Sequence, residues 1–327
     1  MSVKHFISVA AIAAVTLAGS LAASTASAQI TIPTVHVGNP GNAPDTRVMN
    51  DDSTGYGSVA YTYNIGRTEV TNAQYAAFLN AKARLDRYGL YSPFMTSLYG
   101  GIRRLGAQGS YTYSTMPGRE NNPVVYVSFW DACRFANWLH NGQGDGDTET
   151  GAYTLRGVTN PANTSVTRNA GALWAIPSES EWHKAAYHHR PFSAGDPAGG
   201  GDILDSYWLY PTSSDSPPTG RDANTNNPFG NTLPVGSFKA NYYGTFDMAG
   251  NAVEWTESLA LVGQARGFRG GSFESSDITM KATFRNGATP TSSERSTGFR
   301  VVQIPGPSSV ALLAIGGLAG ARRRRLR

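Results

Sequence analysis

Cysteine is almost missing from this chain. Cys133 stands alone among 327 residues, which excludes an internal disulfide framework and any zinc site built from several cysteines. Charged side chains are sparse at 15%, and between the two ends there is no block of like charge, proline-rich linker or internal repeat. That leaves one body of about 275 residues, from Gln29 to Gln303, which a single core can still fill. Its stability must come from that core. Glycine is plentiful at 37 residues, with 16 Tyr, 13 Phe and 6 Trp, so the expectation is short regular elements and much irregular backbone fixed by packing.

Long apolar runs occur only at the ends. Lys4 and His5 precede an apolar stretch from Phe6 to Ala23 and a small-residue run closing on Ala26-Ser27-Ala28. That is the layout of a secretory signal peptide over residues 1–28, with cleavage expected before Gln29 and export from the cytoplasm as the consequence. At the other end Ile304-Pro305-Gly306-Pro307 leads into an apolar run from Val310 to Ala321, then Arg322 to Arg325 and Arg327. Twelve helical residues reach only about 18 Å, against about 30 Å of hydrocarbon, so a transient membrane contact is expected rather than a permanent span. Residues 304–327 resemble a PEP-CTERM sorting signal, which implies processing by an exosortase in the envelope of a Gram-negative bacterium. Gly306 departs from that motif, which usually has Glu there.

The basic balance is a property of these ends. Of 27 Lys and Arg, six are Lys4 and the five C-terminal arginines; 27 minus 6 leaves 21 against 23 Asp and Glu. The body is slightly acidic, and no nucleic-acid partner is expected.

Three helix starts are legible. Thr71 caps a helix from Asn72 to about Ala83, with Tyr75, Phe78 and Leu79 on its apolar face. Ser128, with Asp131 three residues on, caps a second helix after a strand-like run, Val124 to Val127, and Ala132, Phe135, Ala136 and Leu139 form its buried side. Ser178 and Glu181 open a third, which buries Trp182. Glu69 to Asn72 is expected to be a strand running into the first helix, with Glu69 a buried partner for an arginine. Gly270-Gly271 is expected to lead into a strand at Phe273. Trp182 and Trp255 are expected in the core, and Cys133 as a buried small hydrophobe.

Taken in order, Ile65 to Tyr75, Asn122 to Ala132 and Ile176 to Trp182 resemble successive signatures of the formylglycine-generating enzyme, or sulfatase-modifying factor, family. Leu233-Pro234-Val235-Gly236-Ser237, Gly244 to Trp255, and Arg269-Gly270-Gly271-Ser272-Phe273 with the closing Gly298-Phe299-Arg300-Val301 continue the series. The resemblance covers Val35 to Val302. It implies that family's fold: α+β, C-type-lectin-like, a loop-rich single domain over residues 29–303.

The resemblance also implies a test of activity. Enzymes of the family oxidise a cysteine of a client sulfatase to formylglycine, using copper held by two cysteines placed three and eight residues after the serine of the Gly-Gly-Ser motif. That serine is Ser272, so the corresponding positions are Ser275 and Met280. A serine hydroxyl is too hard and too basic to replace a thiolate on Cu(I), and one thioether is a weak ligand. No copper and no catalytic residue are expected. The iron chemistry of other branches needs a neighbouring helical domain, for which there is no room, and His183, His188 and His189 lack the spacing of paired ligands on one helix face.

Calcium is the cofactor the resemblance does suggest, through Asp247, the carbonyls of Gly250 and Ala252, and Glu254. A second acidic run, Asp145, Asp147 and Glu149, has a weaker look of a calcium loop, and a solvated turn explains it as well. The reading that follows is an exported, non-catalytic, cell-envelope or matrix-associated module. It binds an extracellular peptide or glycan in a groove lined by Ser272, Ser275 and Arg285. An enzyme with cysteine-independent oxidoreductase chemistry on the same fold, and a structural component of an extracellular polymer layer, are the alternatives.

Overall fold

Reciprocal caps start each helix. Thr71 Oγ1 accepts from the Gln74 N–H at 3.3 Å while Gln74 Oε1 accepts from the Thr71 N–H at 2.9 Å, opening α1 (Asn72–Lys82). Ser128 and Asp131 do the same for α2 (Phe129–His140), and Ser178 and Glu181 for α3 (Glu179–Tyr187). Each such cap stabilises its helix by about 1 kcal/mol, enough to fix where a short helix begins. These features belong to a computed structural model that describes residues 29–189, 207–260 and 263–306. The expected signal peptide and the C-terminal apolar run with its arginines lie outside the described residues. Among those described, no helix is long and apolar enough to cross a membrane.

The strands are short: β1 Thr34–Val37, β2 Tyr63–Gly66, β3 Ile102–Leu105, β4 Thr112–Thr115, β5 Trp174–Ala175, β6 Val253–Ala260, β7 Ala265–Arg269, β8 Asn286–Ala288, β9 Thr297–Gly298 and β10 Val302–Gln303. They form a four-stranded sheet ordered β1-β2-β10-β5, the hairpin β3-β4, and a second four-stranded sheet ordered β8-β7-β6-β9. In the first sheet β10 pairs with both β2 and β5, so Val302 faces Ile65 on one side and Ala175 on the other. In the second, β6 and β7 are antiparallel with a bulge between Trp255 and Leu259, and β9 adds in parallel.

The core fills the space between the first sheet and the helices. Tyr75 and Phe78 of α1 meet Phe135 of α2 with ring centroids 6.0 and 5.4 Å apart, and Phe299 closes on Phe135 at 5.3 Å. Each of these rings is fully buried, a gain of about 1.5–3 kcal/mol apiece before packing geometry is counted. Trp182 and Trp255 are likewise fully enclosed, and Cys133 sits on the inner side of α2 with its thiol pushed well above the usual range by burial.

Three local expectations need correction. Val124 to Val127 is buried but is not a strand: its hydrogen bonds go to Val70, Glu294 and the Trp255 indole, and Tyr126 stands at φ 62°. A left-handed residue breaks an extended run, and a tyrosine there is held only because its surroundings fix it. Strand β2 ends at Gly66, so Glu69 to Thr71 reaches α1 as irregular chain. The strand at the double glycine precedes it, as β7. Gly270 and Gly271 have φ of 95° and 68°, and a Cβ on Gly271 would lie 2.6 Å from Thr279 Oγ1, so only glycine fits and the chain turns instead of extending to Phe273.

Candidate functional site

The expected motifs converge on one buried polar cluster. Glu254, on β6, is gripped by Arg300 through Nε at 2.5 Å and Nη2 at 2.6 Å, and accepts the Trp182 indole N–H at 2.8 Å. The same guanidinium donates to the carbonyls of Gly66 and Phe246, both at 2.9 Å. Beside it Asn251 donates to Glu69 Oε1 at 3.1 Å and accepts from the Leu233 N–H at 2.8 Å. Asp247 accepts the Gly236 N–H at 2.6 Å. Segments far apart in sequence are thus stitched by charge-assisted bonds in a dry interior, where losing one partner strands the others.

Three carboxyls face one guanidinium here, so charge balance decides their protonation. Burial, then the neighbouring Asp247 and Glu254, push Glu69 well above the usual carboxyl range. Burial also lifts Asp247 to about 6. Glu69 Oε2 has no hydrogen-bond partner among the described atoms, and burial and the neighbouring Asp247 favour keeping a proton on Glu69. Glu69 is therefore a buried acid bonded to Asn251 and not to the arginine expected of it; the guanidinium near it, that of Arg300, is committed to Glu254.

This arrangement does not fit the calcium site expected at Asp247, Gly250, Ala252 and Glu254. Both oxygens of Glu254 are engaged by Arg300 and Trp182, and a cation there would have to displace a fully buried guanidinium. The acidic run 145–149 is a self-contained turn. Asp147 accepts the N–H groups of Glu149 and Thr150, and Glu149 pairs with Arg134 at 2.8 Å. The histidines have different partners, although His183 and His188 both pack on Tyr207: His183 bonds Asp45 at 2.9 Å, His188 bonds the Tyr243 hydroxyl at 2.7 Å, and His189 lies against Trp208. Burial holds His183 and His188 below the usual imidazole range, His188 at about 3.

Among the described residues an accessible pocket of about 290 Å³ lies on the second sheet, walled by Phe268 and Phe284 and edged by Ser272, Ser275, Thr279, Asn286, Ser292 and Glu294. The turn after Gly271 places two of these side by side: Ser272 and Ser275 hydroxyls lie 3.1 Å apart, and the Ser272 N–H donates to Ser275 Oγ at 3.0 Å. Met280 is fully buried behind, under Gly271, in a small cluster with Tyr210 and Ala223. Of the two positions where the family carries cysteines, one reaches the pocket as a hydroxyl and the other is packed away as a thioether.

Arg285 does not line this pocket. Its guanidinium is held by Glu179 through two bonds of 2.7 Å and by Asp51, and it borders an adjoining depression of about 230 Å³ that shares Phe284 and Asn286 with the first. The arginine that does border the pocket, Arg269, is also committed, to Glu179 at 2.8 Å and to the carbonyls of Ala282 and Phe284. Sequence reasoning missed Glu294, Asn286 and Ser292. No motif contains them, and only the pairing of β8 with β7 and the loop returning to β9 bring them to the pocket.

Comparison with known proteins gives the family and the fold. The sulfatase-modifying factor enzyme 1-like domain matches residues 25–304. The formylglycine-generating enzyme of Streptomyces coelicolor is 26% identical over 283 residues, 73% of this chain and 77% of that protein. That of Thermomonospora curvata is 27% identical over 295 residues, 74% and 82% of the two. Among solved structures, CarF superposes with a TM-score of 0.54 at 23% identity over 84% of this chain and 99% of its own. Treponema denticola variable protein 1 gives 0.55 at 20% over 84% and 98%. These structural likenesses speak to the fold.

Proposed function

The chain belongs to the sulfatase-modifying factor family, and from that premise we propose that it is a non-catalytic member, an exported, envelope- or matrix-associated module that binds an extracellular peptide or glycan in the Ser272 pocket. The observation that carries this reading is the pair Ser275 and Met280. The first offers the pocket an alcohol 3.1 Å from Ser272, and the second is wholly enclosed. Cu(I) needs soft thiolate donors, and neither residue is one. The nearest thiol in sequence terms, Cys133, is buried on α2 and held in its neutral form, which removes it as a nucleophile or ligand. An open pocket edged by hydroxyls, with no thiolate among its described lining residues, supports binding. Export rests on the Lys4 to Ala28 pattern.

The experiment is direct. Purified protein, Ser275→Cys and Met280→Cys are each incubated with a cysteine-containing sulfatase peptide, copper and oxygen, and the peptide mass is followed. None is expected to convert the peptide faster than copper alone, because one restored thiolate does not make a two-thiolate site. Turnover by the unaltered protein would end the non-catalytic reading.

A further inference from the structure

We propose that the Ser272 pocket takes a neutral sugar residue of a glycan; this rests on the reading of that pocket as a binding site and narrows it to one ligand class. The first argument is charge. Arg269 borders the pocket, but its Nε and Nη1 are spent on Glu179 and two carbonyls, and Arg295 at the rim is paired with Glu274. Arg269 Nη2 has no protein partner but is itself enclosed, so among the described lining residues the open side of the pocket presents hydroxyls and the Glu294 carboxylate, and a carboxylate, sulfate or phosphate would meet a like charge there. Glu294 has only the Ser292 hydroxyl, at 3.5 Å, as a side-chain neighbour. An unpaired carboxylate beside several serine hydroxyls and an asparagine amide is an acceptor and donor set for alcohols.

The second argument is against an extended peptide. A peptide would gain most by adding to an edge of the second sheet, β8 or β9. Strand β9 is two residues long; β8 is three, and its Gly287 N–H is already taken by Asn286 Oδ1 at 2.8 Å. Such edges give a peptide backbone little to pair with.

The third is the apolar surface. Phe268 and Phe284 wall the pocket. Phe94, 65% exposed, stacks on Tyr126 with centroids 5.7 Å apart, and the Tyr126 N–H donates to the Glu294 carbonyl at 3.0 Å. An exposed ring is thus linked through Tyr126 to the residue that carries the carboxylate. A pyranose has the matching form, an apolar C–H face with hydroxyls around its rim, and aromatic faces receive such C–H groups. At about 290 Å³ the pocket is at the small end of ligand sites, the size of one sugar unit rather than a long segment.

The test uses the full chain in affinity electrophoresis through gels containing dextran, mannan or galactan as neutral polymers, alginate as a polyuronate, or a casein digest as peptide. Retardation by a neutral polymer is expected, with Glu294→Ala and Phe94→Ala each weakening the apparent dissociation constant about ten-fold, the size of one lost charged hydrogen bond or one lost ring contact. Both positions are exposed, so unchanged melting temperatures separate lost binding from lost folding. Retardation by alginate or casein peptides alone, sensitive to the same substitutions, would overturn the sugar assignment and leave the binding pocket standing. Retardation by nothing would overturn both readings. Neutral-polymer binding that survives Glu294→Ala, Phe94→Ala and the pocket-filling Ser275→Trp would place the ligand elsewhere and overturn this proposal.

Discussion

Replacing Glu69 by glutamine should make the protein more stable at neutral and alkaline pH and leave it almost unchanged near pH 5. Glutamine keeps an oxygen for the Asn251 donor and carries no charge, so it mimics the protonated acid. In the parent, burial and the facing Asp247 raise the folded pKa of Glu69 well above 4.5. A carboxyl raised in this way contributes fully below its unfolded pKa, and its contribution is lost as pH rises towards the folded value. The slope is about 1.4 kcal/mol per pH unit for each proton the folded state retains. Each pH unit between the unfolded and the folded value therefore adds about 1.4 kcal/mol to the gain on substitution. For a domain of this size each kcal/mol is on the order of 2–4 °C in melting temperature. Carboxylates with lowered pKa, such as Asp45, Glu179 and Glu181, change stability only as pH falls below their unfolded values. They lie outside the window, and the neutral His183 and His188 cancel between the two proteins. The assay is urea unfolding of both proteins at intervals from pH 5 to pH 8. Parallel stability curves would refute the retained proton.

Other outcomes follow from the same packing. Arg300→Met should cost about 3–5 kcal/mol in urea unfolding, because it leaves Glu254 charged and fully enclosed; a loss under 1 kcal/mol would mean that the pair is not closed to water. Chelation with EDTA should leave the melting temperature within about 1 °C, since a ligand that binds only the folded state raises stability by mass action and Glu254 has no free oxygen for calcium. Cys133 should resist iodoacetamide in the folded protein and react on unfolding, as judged by mass, because burial keeps the thiol protonated.

Local chemistry made the helices legible. Thr71, Ser128 and Ser178 announce their helices because a cap is a contact between residues three apart, and the motif order carries the family fold. What failed depends on distant partners. Val124 to Val127 reads as a strand because an apolar run reports burial, and burial says nothing about where the backbone polar groups point; here two N–H groups and one carbonyl bond three separate segments. Arg285 lies close in sequence to Ser272, but Glu179 at the start of α3 and Asp51 in a loop hold it outside the pocket. Glu69 called for an arginine by charge alone, and the fold answers with an amide from 182 positions away and a second acid.

Retention of the motifs alongside loss of the cysteine pair has an energetic explanation. Glu254, Arg300 and Trp182 are buried and bonded to one another, and Asn251 beside them is bonded to Glu69 and Leu233, so replacing any one leaves a polar group without a partner, at a cost of about 1–5 kcal/mol. That is a large part of the 5–15 kcal/mol by which a domain is held together. Ser275 stands at the pocket edge, half-exposed and bonded by side chain to Ser272, where a substitution costs about 1 kcal/mol or less. Met280 needs only to be apolar and of the right volume. Selection for a folded domain therefore holds the cluster and leaves the two cysteine positions free to change. The ordered motifs report what the fold requires, and the chemistry has to be read from the pocket.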